Sequence, residues 1–166
     1  MSSVSNCTHD THDLHIVLVK PEIPPNTGSI ARLCGATNAT LDLVHPLGFS
    51  TDDKHLKRAG LDYWQHVNIK HWPDFDTYLA AQAEKQLFFF TTKTDRPYYT
   101  APFAADSRLI FGRETRGLDE EILALYHERC YTIPMQNRNI RSLNLAMSAG
   151  IVLYEALRQL SCTARP

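Results

Sequence analysis

Apolar and polar positions alternate along this chain in blocks whose periods predict strands and helices in turn. From Leu14 to Lys20 the run LHIVLVK is apolar and β-branched, which predicts a strand buried on both faces. Pro21, Pro24 and Pro25 break it, and Asn26 is placed to cap a helix over NTGSIARLCGATNA. LDLVHP from Leu41 reads as a second strand ended by Pro46, and Asp52 and Asp53 open a short basic helix with Lys54, Lys57 and Arg58. VNIKHW from Val67 is a third strand, PDFDTYLAAQA from Pro73 a helix, QLFFFTT from Gln86 a fourth strand and SRLIFG from Ser107 a fifth. DEEILALY from Asp119 carries acids in its first turn, as the helix dipole favours. RCYTIPM from Arg129 is a sixth strand, and the longest helix runs from about Ser142 to Leu160.

Strands alternating with helices predict an α/β domain with a mostly parallel sheet and helices on both faces. Residues 1–13 read as a disordered polar tail and 14–166 as a single domain. Ligands of such sheets bind in loops after the carboxyl ends of strands, here the loops after Lys20, Thr92, Phe111 and Met135. In the last helix, Leu145, Ala149, Val152, Ala156 and Leu160 form one apolar stripe while Met147, Ile151 and Leu153 lie on other faces. A helix apolar around so much of its circumference needs burial on more than one side, which predicts a homodimer.

Composition narrows the class. Of 166 residues, 43% are hydrophobic, and 17 Lys and Arg stand against 18 Asp and Glu, a net charge of −1. That excludes a disordered chain and a polybasic nucleic-acid binder, but not nucleic acid as a partner, which needs only a local basic patch. No apolar run approaches the roughly 20 residues of a membrane span, and the first residues show neither basic charge nor an apolar stretch. A cytoplasmic protein is expected. Cys7, Cys34, Cys130 and Cys162 form no CxxC pair, so they are expected as reduced thiols and no metal is expected. The dinucleotide fingerprint, the Walker phosphate loop and the G-x-S-x-G elbow are all absent, which disfavours a dehydrogenase, a kinase and a serine hydrolase.

Three loops carry the candidate chemistry. PPNTGSIAR holds Asn26, Gly28 and Arg32. FGRETRGL places Gly112 after a strand and Gly117 before a helix, so the backbone can turn sharply there, with Glu114 between Arg113 and Arg116. IPMQNRNIRSLNLA is amide-rich, carries Arg138 and Arg141, and enters the last helix with Ser142 as its expected cap and Asn144 one turn in.

In order and spacing these loops resemble the three signature motifs of the SPOUT superfamily of S-adenosylmethionine-dependent RNA methyltransferases. Across Leu14 to Leu160 the segments PEIPPNTGSIARLC, DDKHLKRAGLDYW, LFFFTTK, FGRETRGL and RSLNLAMSAGIVLYEALRQ are similar to the TrmL subfamily, which methylates the ribose of the tRNA wobble nucleotide. Arg113 stands where many relatives have proline, and Leu143 where they have methionine. The resemblance implies a C-terminal deep trefoil knot, an obligate homodimer and methylation of the 2′-hydroxyl of a wobble cytidine or modified uridine in a tRNA anticodon loop. It implies that Phe90, Gly112, Gly117, Leu118, Ile133, Ser142 and Leu143 hold S-adenosylmethionine. Arg32 is the expected catalytic residue, with Asn26, Glu114, Ser142 and Asn144 orienting it and the RNA. Lys57, Arg58, Lys93, Arg116, Arg138, Arg141 and Tyr154 are candidate RNA contacts. Competing readings are methylation of another tRNA or rRNA position, and a catalytically idle RNA-binding module.

Overall fold

A computed structural model of the chain describes residues 11–50 and 64–163. The elements are β1 (His15–Val19), α1 (Pro24–Thr37), β2 (Thr40–Val44), β3 (Ile69–Trp72), α2 (Phe75–Ala81), β4 (Gln86–Phe90), β5 (Ser107–Phe111), α3 (Glu120–Leu125), β6 (Cys130–Tyr131) and α4 (Leu145–Thr163). Short 3-10 turns cover Tyr98–Thr100 and His127–Arg129. The predicted basic helix with Lys57 and Arg58 lies outside the described residues.

Among the described residues all six strands are parallel, in the order β3-β2-β1-β5-β4-β6. Side chains alternate across the sheet with the period of two that a pleated strand imposes. Ile16, Leu18, Leu41, Leu43, Phe88, Phe90, Leu109, Phe111 and Tyr131 pack on one face against Ile30 and Cys34 of α1 and Val152, Leu153 and Ala156 of α4. Val17, Val19, Val44, Phe89, Ile110 and Cys130 pack on the other, under Phe75 and Tyr78 of α2 and the partly buried Ile122 and Leu123 of α3. Leu153, which lies off the main apolar stripe of the last helix, is also core.

The second face also buries charge. His15 Nδ1 lies 2.5 Å from Asp42 Oδ2, Trp72 Nε1 donates to Asp42 Oδ1 at 2.9 Å, and His15 Nε2 lies 3.1 Å from Asp13 Oδ1. Arg108 donates to Gln82 Oε1 at 2.9 Å and to Asp13 Oδ2 at 2.8 Å. Pairing and hydrogen bonding make such burial tolerable. Burial, the largest single influence on Asp13, raises its pKa, but Arg108 and His15 together outweigh it and hold the carboxyl below its ordinary range.

Three departures from the expected element boundaries bear on the site. Helix α1 starts at Pro24, because proline at the first two positions gives up only N–H groups that lack helical partners anyway. Asn26 is therefore inside the helix and Ile23, which has no capping side chain, stands at the N-cap. Strand β6 ends at Tyr131, and the next residue pairs with Pro97 instead of with β4. Helix α4 starts at Leu145, not Ser142, and its cap is Asn144: Oδ1 accepts from Ala146 N at 2.9 Å and Met147 N at 3.3 Å, while the Asn144 carbonyl accepts from Ser148 N.

Candidate active site

The ordering of the strands changes direction between β1 and β5. Near this point a cavity of about 480 Å3 opens over the carboxyl ends of β5, β4 and β6, where parallel α/β sheets bind their ligands. Its wall is built from Phe90 to Lys93, Phe111 to Gly117, Thr132, Ile133 and Met135, then Arg141 to Leu145 with Ser148, and from Ile23 and Asn26 of the α1 entry.

Glu114 organises this wall. Its Oε2 accepts from Glu22 N at 2.8 Å, and its Oε1 accepts from Ile23 N at 3.2 Å and Asn26 Nδ2 at 3.0 Å. A carboxylate from another loop thereby takes the place of the missing cap at the positive end of the α1 dipole. Glu22 returns the contact, accepting from Thr115 N at 3.2 Å and Thr115 Oγ1 at 2.7 Å.

Asn26 then carries the chain of bonds onward. Its Oδ1 accepts from Asn144 Nδ2 at 3.0 Å. The direction of each amide is set from both ends: an ionised Glu114 can only accept, so Asn26 must offer it NH2, and α4 needs an acceptor at its N-cap, so Asn144 must turn Oδ1 to the helix. Both requirements leave Asn144 NH2 facing the Asn26 oxygen. One relay, Glu114–Asn26–Asn144, thus joins all three candidate loops.

Arg113, the neighbour of Glu114, pairs instead with Asp119 Oδ1. Asp119 Oδ2 accepts from Lys20 Nζ at 3.2 Å. Asp119 stands at the N-cap of α3 yet makes no capping bond with its side chain. Burial, its largest single influence, raises its pKa, but Lys20 and Arg113 together hold it below the usual carboxylate range. Arg113 and Glu114 therefore anchor the same loop to α3 and to α1. Gly112 completes the turn: a Cβ there would lie 2.1 Å from Gly117 C and 2.2 Å from Leu118 N. Gly117 adopts φ +69°, the left-handed region where glycine carries no penalty.

Most predicted cofactor residues meet here: Phe90, Gly112, Gly117, Ile133, Ser142 and Leu143 all line the cavity. Leu118 does not; it is buried in the core beneath α2 and α3. Asn26, Glu114, Ser142 and Asn144 also line it, whereas Arg32 stands on the exposed side of α1 outside the lining. Lys93, Arg116 and Arg141 line the cavity, Arg138 and Tyr154 are exposed elsewhere, and Lys57 and Arg58 lie outside the described residues. Thr92 and Met135, after which the sequence places two ligand loops, also line the cavity, and Thr91 and Thr132 join them from the same strand ends. The pairing of Lys20 with Asp119 has no sequence signal, since an acid at the start of a helix reads as a partner of the helix dipole.

The chain's known relatives bear directly on this cavity. A profile of the SpoU rRNA Methylase family matches residues 13–154. The chain belongs to that family. Within it, the Aeromonas hydrophila tRNA (cytidine(34)-2′-O)-methyltransferase is 48% identical over 148 residues, covering 89% of this chain and 94% of that protein. A solved structure described as giving insights into 2′-OH methylation of C/U34 on tRNA superposes with a TM-score of 0.87 at 43% identity, covering 92% of this chain and 99% of that one. The AdoMet-bound rRNA methyltransferase of Sinorhizobium meliloti superposes with a TM-score of 0.80 at 26% identity, over 91% of this chain and 58% of its own.

The cavity has the size and the walls of a nucleoside site. Its volume lies in the range of small-molecule sites. Phe90, Phe111, Ile133, Leu143 and Leu145 give it apolar walls, and Gly112 permits backbone to come close. Among the described lining residues the one carboxylate is Glu114, whose oxygens already take three N–H donors. Among the described residues no group of three or more His, Cys, Asp or Glu is arranged to hold a metal.

Proposed function

We propose that this SpoU-family protein methylates the ribose 2′-hydroxyl of the wobble nucleotide, a cytidine or a modified uridine, in tRNA anticodon loops. The observation that carries this reading is the relay Glu114–Asn26–Asn144, which knits the three motif loops into one nucleoside-sized cavity. S-adenosylmethionine supplies, when bound, the sulfonium methyl group. Phe90, Gly112, Gly117, Ile133, Ser142 and Leu143 hold its adenosine and ribose.

The reaction forms a bond from the 2′-oxygen to the methyl carbon, breaks the sulfur–carbon bond and releases the hydroxyl proton. It requires the hydroxyl in line with that bond. Glu114 is committed to N–H donors and serves as a positioning residue. Arg32 acts from the RNA side: a guanidinium offers only N–H donors and no acceptor, so it positions the substrate phosphate and stabilises negative charge developing on the 2′-oxygen. Lys57, Arg58, Lys93, Arg116, Arg138, Arg141 and Tyr154 supply RNA contacts.

The same reading takes residues 14–166 as one domain with the knotted C-terminal path that the resemblance implies, working as a homodimer in the cytoplasm. Support for the dimer comes from α4, where Met147 (60% exposed) and Tyr154 (57% exposed) flank the partly buried Ile151. Among the described residues no helix is long and apolar enough to cross a membrane. The test is transfer of tritium from labelled S-adenosylmethionine to bulk tRNA, followed by mapping of the labelled nucleotide. Arg32→Ala is expected to abolish transfer while S-adenosylhomocysteine binds with unchanged affinity by calorimetry. Lost cofactor binding with an intact rate at saturation contradicts that role.

A further inference from the structure

The segment between β4 and β5 leaves the cavity wall at Thr92 and Lys93 and passes along the outer side of β6. There it is fixed to a cavity residue by two backbone bonds: Thr132 N donates to Arg96 O, and Tyr98 N donates to Thr132 O, both at 2.8 Å. Arg96 thus lies one strand-spacing from the cavity rim. Its guanidinium carbon sits 5.5 Å from the centre of the Tyr131 ring, and among the described residues it has no carboxylate partner, the adjacent Asp95 included. Tyr98 and Tyr99 follow, with ring centroids 5.5 Å apart at 72°. Tyr98 packs on the core, whereas Tyr99 is 55% exposed. The 3-10 turn that carries them is closed by Thr100 N and Thr100 Oγ1 to Pro97 O and by Ala101 N to Tyr98 O.

A large ring in solvent is ordinary by itself. A ring held by a closed turn and an edge-on neighbour, next to an arginine without a carboxylate partner and beside a cavity, is a different arrangement. Ordering it on binding costs little side-chain entropy, and its ring is a surface for a base of any identity. We propose that Tyr99 and Arg96 form a platform for the single-stranded RNA flanking the methylated nucleotide, Tyr99 stacking on a base and Arg96 meeting a phosphate. This rests on the functional reading above and extends the RNA contacts to the β6 side of the cavity, where neither residue was a candidate.

The experiment is steady-state methylation of an anticodon stem-loop RNA by the full chain, with S-adenosylhomocysteine binding measured in parallel. Tyr99→Ala is expected to raise KM for the RNA about tenfold, with kcat and S-adenosylhomocysteine affinity unchanged. Tyr99→Phe is expected to match the wild type, because stacking uses the ring and not the hydroxyl. Arg96→Ala is expected to raise KM and to flatten its salt dependence by about one phosphate contact, a slope change of ~0.7. An unchanged KM in Tyr99→Ala overturns the platform, as does Tyr99→Phe as impaired as Tyr99→Ala, or a parallel loss of S-adenosylhomocysteine binding. If the wild-type protein methylates other RNA but no anticodon stem-loop, the wobble reading and the platform built on it both fall.

Discussion

Replacing Asn144 separates two jobs that one side chain performs. In Asn144→Ala the α4 cap is lost, which costs about 1 kcal/mol. The same change strips the donor from Asn26 Oδ1, an acceptor on a buried residue, which costs a further 1–3 kcal/mol, approximately. The expected total is about 2–4 kcal/mol. Asn144→Ser keeps a capping oxygen but cannot reach Asn26, so only the second cost remains. Asn144→Asp also keeps the cap but faces oxygen with oxygen across the relay, and should be worse than serine. Urea unfolding at fixed protein concentration measures each value, since association shifts apparent stability. A double-mutant cycle of Asn26→Ala with Asn144→Ala should show a coupling of about 1 kcal/mol. A serine variant as stable as wild type would falsify the relay, and one as unstable as alanine removes the cap. Single changes that simply add, within about 0.3 kcal/mol, leave Asn26 and Asn144 uncoupled.

Gly112→Ala forces the loop apart, because the new Cβ meets backbone atoms at 2.1–2.4 Å; S-adenosylhomocysteine binding by calorimetry should drop below detection while Gly117→Ala, strained at φ +69° but sterically open, loses only about 1–2 kcal/mol of stability. The folded-state pKa of Asp13 lies below its unfolded value, so its pairing stabilises the protein at neutral pH and that contribution is lost as pH falls through and below the ordinary carboxylate range. Acid titrations monitored by circular dichroism should therefore show Asp13→Asn less stable than wild type at pH 7, with the gap closing towards pH 2; a gap that widens in acid contradicts the assignment.

The strands were legible because a sheet buried on both faces leaves long apolar runs such as LHIVLVK and QLFFF, and all six strands overlap the segments the sequence predicts, β6 being the one cut short, to Cys130 and Tyr131. What was not legible depended on partners distant in sequence. Asn26 looked like a cap, but Pro24 and Pro25 extend the helix past it and Glu114, 88 residues away, supplies the carboxylate. Asp119 reads from sequence as a first-turn acid of a helix; it stands at the N-cap instead and holds Lys20 and Arg113. His15, Asp42 and Arg108 sat in runs that read as apolar, and their burial became intelligible only once Trp72, Gln82 and Asp13 were in place around them. The cavity loops themselves are legible, since they follow strand ends and carry Gly and amide residues, whereas nothing in the sequence shows that the Leu118 side chain packs in the core and not on the cavity wall.

The two sides of the sheet differ in how readily they would accept a foreign strand. Open edges invite intermolecular pairing, and natural proteins blunt them. Strand β3 puts Lys70 and His71 on its exposed positions, and the lysine charges that edge. Strand β6 has only two residues, and where it ends Thr132 is already paired in both directions with the segment around Pro97, a residue with no N–H to offer. Among the described residues, neither flank offers a long, uncharged edge on which fibres could grow.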